Sequence, residues 1–94
     1  MSLKEQRELD MKVILKPVSG TPKDNLERAR HEMERVLSFR GTVDSVKALN
    51  NSIEVTISIN PKWDLPKEQK VDSLKEWIPA KVRSAFHLLS ISAG

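Results

Sequence analysis

Residues Ser52 to Asn60 read Ser-Ile-Glu-Val-Thr-Ile-Ser-Ile-Asn. Ile53, Val55, Ile57 and Ile59 fall on one face and Glu54, Thr56, Ser58 and Asn60 on the other. A period of two carried by β-branched residues specifies a strand with one dry and one wet face. Such a strand has to lie in a sheet that helices cover on one side only. The rest of the chain is constrained by the need to supply those helices and the neighbouring strands.

Length and composition narrow the choice. Ninety-four residues make one domain. A chain of this size buries roughly 60–65% of the surface that its unfolded form exposes, which allows one modest core and no deep enclosed pocket. Hydrophobic residues are 38% and charged residues 31%, the balance of a folded chain. No apolar run approaches the roughly 18 residues of a membrane helix, and the charged N-terminal region has no signal-peptide pattern. With no cysteine, disulfides, thiolate catalysis and cysteine-held zinc are excluded. A cytoplasmic location is the default for such a composition.

Sixteen basic and 13 acidic residues give a net charge of +3. The excess is spread thinly, and lysines and arginines are interleaved with acids, as on solvated helix faces. Nucleic-acid binders concentrate their charge on one face instead.

Along the chain, residues 1–10 are polar and read as a flexible or helical N-terminal arm, with a single domain over 11–94. The Met-Ser-Leu start, and a finish at Gly94 just after an apparent strand, suggest a domain excised from a longer protein. Met11 to Val18 form a first strand, with Val13 and Leu15 opposite Lys12, Ile14 and Lys16, and Pro17 closes it. Thr21 is then an N-cap, Pro22 the first helical position, and Asp24 is placed to reach back. Leu26, Ala29, Met33, Val36 and Leu37 make the apolar stripe of a helix that Gly41 ends. Glu27/His31, Arg28/Glu32 and Arg30/Glu34 are i,i+4 pairs on its wet side.

Thr42 to Leu49 form a weaker strand, with Val43 and Leu49 on one face and Val46 and Ala48 on the other. Asn50-Asn51 suits a two-residue turn, because asparagine tolerates left-handed backbone. After the strong strand, Asp64 is the expected cap of a second helix whose apolar positions are Val71, Leu74, Ile78, Val82 and Phe86. Pro79 implies a kink or two short helices. Leu88 to Ala93 alternate and read as a last strand, the tail of the second helix being the other reading.

The order β-α-β-β-α-β is that of an α+β, ferredoxin-like fold: an antiparallel four-stranded sheet with two helices on one face and strand order 4-1-3-2. The dry face of residues 53–59 should pack against Leu26, Met33 and Leu37 of the first helix and Val71, Leu74 and Ile78 of the second.

Catalysis has little to work with. His31 lies on the charged face of the first helix, and His87 near the C-terminus of the second, where the helix dipole favours an imidazolium. Neither has a nucleophile or orienting group at a suggestive spacing, so no catalytic residue, cofactor site or metal site is assigned. Ser19-Gly20-Thr21-Pro22-Lys23 has too few glycines for a phosphate loop, and its proline removes a donor.

Two functions from different classes remain. The first is a non-enzymatic interaction or assembly domain, binding protein and most simply itself as a homodimer. The last strand (Leu88, Ser90, Ile91, Ser92) would be a sheet edge with no charge, proline or bulge to blunt it, and Trp63 and Trp77 either pack on the core under the loop or are contact residues beside lysines. The second is a nucleic-acid-binding module, since the topology is that of RNA-recognition domains. Lys12, Lys16, Lys62 and Lys67 would then meet phosphate. The strand aromatics on which such modules stack bases are missing here, and Glu54 stands on the open face.

Overall fold

Strands and helices alternate as β1 (Leu9–Pro17), α1 (Leu26–Leu37), β2 (Gly41–Ala48), β3 (Ile53–Ile59), α2 (Lys67–Val82) and β4 (Phe86–Ala93). Short 3-10 turns at Lys23–Asn25 and Ser38–Arg40 flank α1. The computed structural model describes residues 9–93. Residues 1–8 of the proposed N-terminal arm lie outside that range, whereas Leu9 and Asp10 belong to β1.

The four strands form one sheet in the order β2-β3-β1-β4, with every neighbouring pair antiparallel. This is the ferredoxin-like arrangement. Met11, Val13 and Leu15 of β1 lie opposite Ile57, Val55 and Ile53 of β3, and all six are fully buried. Ala29, Met33, Val36 and Leu37 of α1, and Leu74, Ile78 and Val82 of α2, close over them as one cluster. Leu26 and Val71 pack at its margin. Both helices therefore cover the same face, and the other face carries Lys12, Lys16, Glu54 and Thr56.

Both edge strands contain a bulge. In β2 the register to β3 slips between Val43 and Ser45, leaving Asp44 as the extra residue. A strict alternation sends Val43 and Val46 to opposite faces, but the slip restores both to the core side. Leu49, which the unbroken period grouped with Val43, is left exposed. The Nη1 of Arg30 donates to the Val43 carbonyl at 3.5 Å. The expected i,i+4 partnership of Arg30 with Glu34 gives way to this contact. The one ion pair among the described residues joins Arg35 to Glu32 at 2.5 Å, at i,i+3 spacing.

Several element ends differ from expectation for local reasons. Thr21 does cap, its Oγ1 accepting the Asp24 N–H at 3.2 Å. The turn before it is fastened by buried Asn25, whose Nδ2 donates to the Ser19 and Thr21 carbonyls at 3.1 and 2.7 Å. Helix α1 ends at Leu37, and not through Gly41. Ser38 takes φ +52°, and its N–H donates to the Glu34 carbonyl. Gly41 is extended and starts β2, where a Cβ would stand 2.5 Å from the Ser58 carbonyl oxygen. Its lack of a side chain serves close strand approach.

The β2–β3 connection is a four-residue loop, Leu49 to Ser52, closed by the Leu49 N–H donating to the Ser52 carbonyl at 2.8 Å. Neither asparagine is left-handed, because the longer loop does not demand it. Asp64 is not the cap of α2. Pro66 is extended and holds the N-cap position, and a residue before proline is kept out of the helical region. Pro79 lies in the last turn, so only one intrahelical bond is lost and α2 continues to Val82. The chain then leaves the helix, so that Phe86 and His87 belong to β4. Phe86 is fully buried. His87 lies opposite Lys16 in β4, and not in the last turn of α2.

Two stability measurements test this architecture. Ile57→Ala should cost roughly 2–5 kcal/mol in urea titration, because a fully buried branched side chain leaves a cavity between both helices and three strands. Ser38→Gly should raise stability by about 1 kcal/mol, since glycine occupies positive φ without the steric cost that serine bears. A destabilised glycine variant would show that the Ser38 backbone is not strained.

Candidate functional site

Three of the chain's four aromatic side chains meet at one place on the helix side. Trp77, on α2, stacks on Trp63 of the β3–α2 loop with ring centroids 5.7 Å apart and planes 24° apart. The Arg40 guanidinium carbon lies 4.7 Å from the centre of the Trp77 ring, 5.9 Å from that of Trp63 and 4.6 Å from that of Phe39. Both tryptophans are half-buried and pack on the edge of the core, while Phe39 is 71% exposed.

Asn60 assembles this cluster. Its N–H donates to the Arg40 carbonyl at 2.7 Å, and its Nδ2 to the Phe39 carbonyl at 3.3 Å. Its Oδ1 accepts the Lys62 N–H at 2.9 Å, and its own carbonyl accepts the Trp63 N–H at 3.0 Å. One side chain and its backbone thus tie the end of α1 to the loop that carries Trp63. The tryptophans were legible as contact candidates, but Phe39 and Arg40 were not. The available signal was an aromatic two positions past the last apolar residue of the α1 stripe, where a helical period has no use for it.

The second surface is the β4 margin. Leu88 and Ile91 point to the core side and are half-buried, whereas Ser90 and Ser92 are exposed. The edge is not unblunted, as the sequence suggested. Ile14 lies opposite Ser90 and Leu15 opposite Leu88, so Leu89 is an extra, bulged residue, 54% exposed. Alternation alone does not reveal a bulge, because the slip depends on how β4 meets β1. Beside this edge runs a groove of about 390 Å³ lined by Lys67, Glu68, Val71, Asp72 and Lys75 of α2 with Ile91 and Ser92 of β4.

The open sheet face is mixed in charge and free of aromatics among the described residues. Ser58 is within hydrogen-bond reach of both Asp44 and, at 3.1 Å, Asp10. Its single proton serves one carboxylate at a time, so this end of the face is acidic. Lys12 and Lys16 stand on this face, Lys62 in the β3–α2 loop and Lys67 on the helix layer. The fold does not bring the four together. Among the described residues no three histidine, aspartate or glutamate side chains gather as metal ligands, and no helix is long and apolar enough to cross a membrane. Compared with known proteins, the chain matches no family model, no curated protein and no solved structure.

Lys12→Ala and Lys16→Ala should leave oligonucleotide binding unchanged, with no appreciable affinity for mixed RNA or DNA at near-physiological salt. Fluorescence anisotropy checks this. Micromolar binding that weakens in these variants would make the open face a nucleic-acid platform.

Proposed function

We propose that this chain is a non-enzymatic assembly domain that pairs with a second copy of itself along the β4 margin. The observation that carries the reading is the groove between β4 and α2. There the outer backbone of β4 is unpaired by any strand of the sheet, and half-buried Val71 and Ile91 lie beside it. The α2 rim presents Lys67, Glu68, Asp72 and Lys75, two charges of each sign. A two-fold axis sets such a mixed row against its own copy, so opposite charges can meet without a change of surface. The bulge at Leu89 splits the edge into Phe86–Leu88 and a segment from Ser90 onward, and the groove lies beside the second. A ladder that short falls below the roughly 1,000 Å² of a specific interface, so the outer face of α2 has to join it. A cytoplasmic setting fits the cysteine-free composition.

Successive N–H groups of a strand point to opposite neighbours. Of Ile91→Pro and Ser92→Pro, one therefore removes a donor to β1 and the other a donor to the outside. Circular dichroism identifies the variant that remains folded. Light scattering at high micromolar concentration should find the parent dimeric and that folded variant monomeric, with Asp72→Lys weakening the dimer by like-charge repulsion. A monomeric parent, or a folded proline variant as dimeric as the parent, rejects the reading.

A further inference from the structure

Arg40 stands at the mouth of a cleft of about 370 Å³ between the end of α1 and the C-terminal half of α2. The lining residues are Arg35, Val36, Ser38, Arg40, Trp77 and Lys81. Three of them are cationic and none is acidic. Arg35 is committed elsewhere: it pairs with Glu32, and its Nη2 also donates to the Lys81 carbonyl at 3.3 Å, which fastens α1 to α2. Arg40 is different. Among the described residues no carboxylate or carbonyl accepts from its guanidinium, which three aromatic rings surround. The Lys81 ammonium is likewise without an acidic partner there.

A guanidinium placed among rings, with its forked donors unspent, is preorganised for an anion that offers two oxygens in one plane. The ordering of a long side chain, a cost normally met on association, has already been met in the free protein. Phe39 adds an exposed apolar ring directly beside it, one side of which Arg40 covers. Tryptophan, phenylalanine and arginine around a small cleft is the composition of the centre of a protein interface.

We infer that this cleft binds an acidic segment of another protein. A carboxylate is received by Arg40, with Lys81 beside it, and a neighbouring apolar side chain of the segment seats on Phe39. This site is separate from the β4 margin and does not depend on pairing there. A nucleic-acid strand suits it less. The tryptophans are half-buried against the core, stacked on each other and flanked by Arg40, so Phe39 is the most exposed of the three rings on which a base could stack. Three cations also fall short of the roughly 6–10 phosphate contacts of a strong backbone binder.

The test is a nitrogen-15 NMR titration of the full chain with a blocked octapeptide of alternating aspartate and leucine, and in parallel with decauridylate. The peptide should shift the Trp63 and Trp77 indole N–H and the Arg40 Nε–H signals saturably, with a sub-millimolar Kd. Affinity should fall about tenfold in Arg40→Lys, which keeps the charge and loses the fork, and likewise in Lys81→Glu. Lys12→Ala should bind as the parent does. Thermal unfolding of each variant separates lost binding from lost fold, and a folded Arg40→Lys variant that binds like the parent overturns the assignment. Shifts absent at millimolar peptide, or centred away from these residues, overturn it too. Tighter binding of decauridylate at the same signals replaces the acidic peptide with a nucleic acid.

Discussion

The pairing of β1 with β3 is the contact on which everything else in this fold rests. Met11, Val13 and Leu15 face Ile57, Val55 and Ile53 across the centre of the sheet, and none retains any solvent exposure. Each such side chain contributes about 1.5–3 kcal/mol on burial. The two strands become a dry floor only when both helices close over it. Because the pleat alternates strictly, the same register turns Lys12, Thr56 and Glu54 outward. A slip of β3 by one residue would turn Ile53, Val55 and Ile57 to the open face and bury Glu54 against the helices in their place. The register is therefore as strongly specified as the core itself.

The two outer strands obey a looser rule. Each meets a central strand along one edge only, and each accommodates an extra residue, Asp44 in β2 and Leu89 in β4. A bulge bends its strand and interrupts the outward row of hydrogen-bonding groups, which limits indiscriminate edge pairing. At β2 the bulge has a second consequence. It sends Asp44 to the open face, where it meets Ser58, and keeps Val43 and Val46 on the core. The acidic character of that end of the sheet is thus a by-product of how an edge was terminated.

On the helix side, the link between the core and the cation–aromatic cluster runs through Asn60. This residue ends the strand whose apolar face builds the core, and its hydrogen bonds hold both the Phe39-Arg40 segment and the Trp63 turn. The cation–aromatic cluster is accordingly tied to the end of a strand that is central in the sheet. Arg35 adds a tie between the helices on the far side of the same cleft.

Periodicity in the sequence was enough to identify the buried face, through the alternation at residues 11–18 and 53–59 and the stripes of Leu26 to Leu37 and Val71 to Val82. The strand order came from the ferredoxin-like arrangement that the β-α-β-β-α-β reading implies, and the structure has that order. Tryptophan at 63 and 77 was open to two readings, packing under the loop or contact with a partner, and the structure stacks the two rings at the margin of the core. What the sequence could not settle are events that depend on a neighbour across space. The bulges at Asp44 and Leu89 arise from the match between two strands, the glycine at 41 answers the Ser58 carbonyl, and Phe86 is buried as the start of β4 although it fits the stripe of α2. Arg40 is the clearest case. It is one of 16 basic residues in the chain, and nothing in its local pattern marks it. Only the tertiary structure brings two tryptophans from β3–α2 and α2 over it, because cation–aromatic contact is a property of distance and not of spacing along the chain.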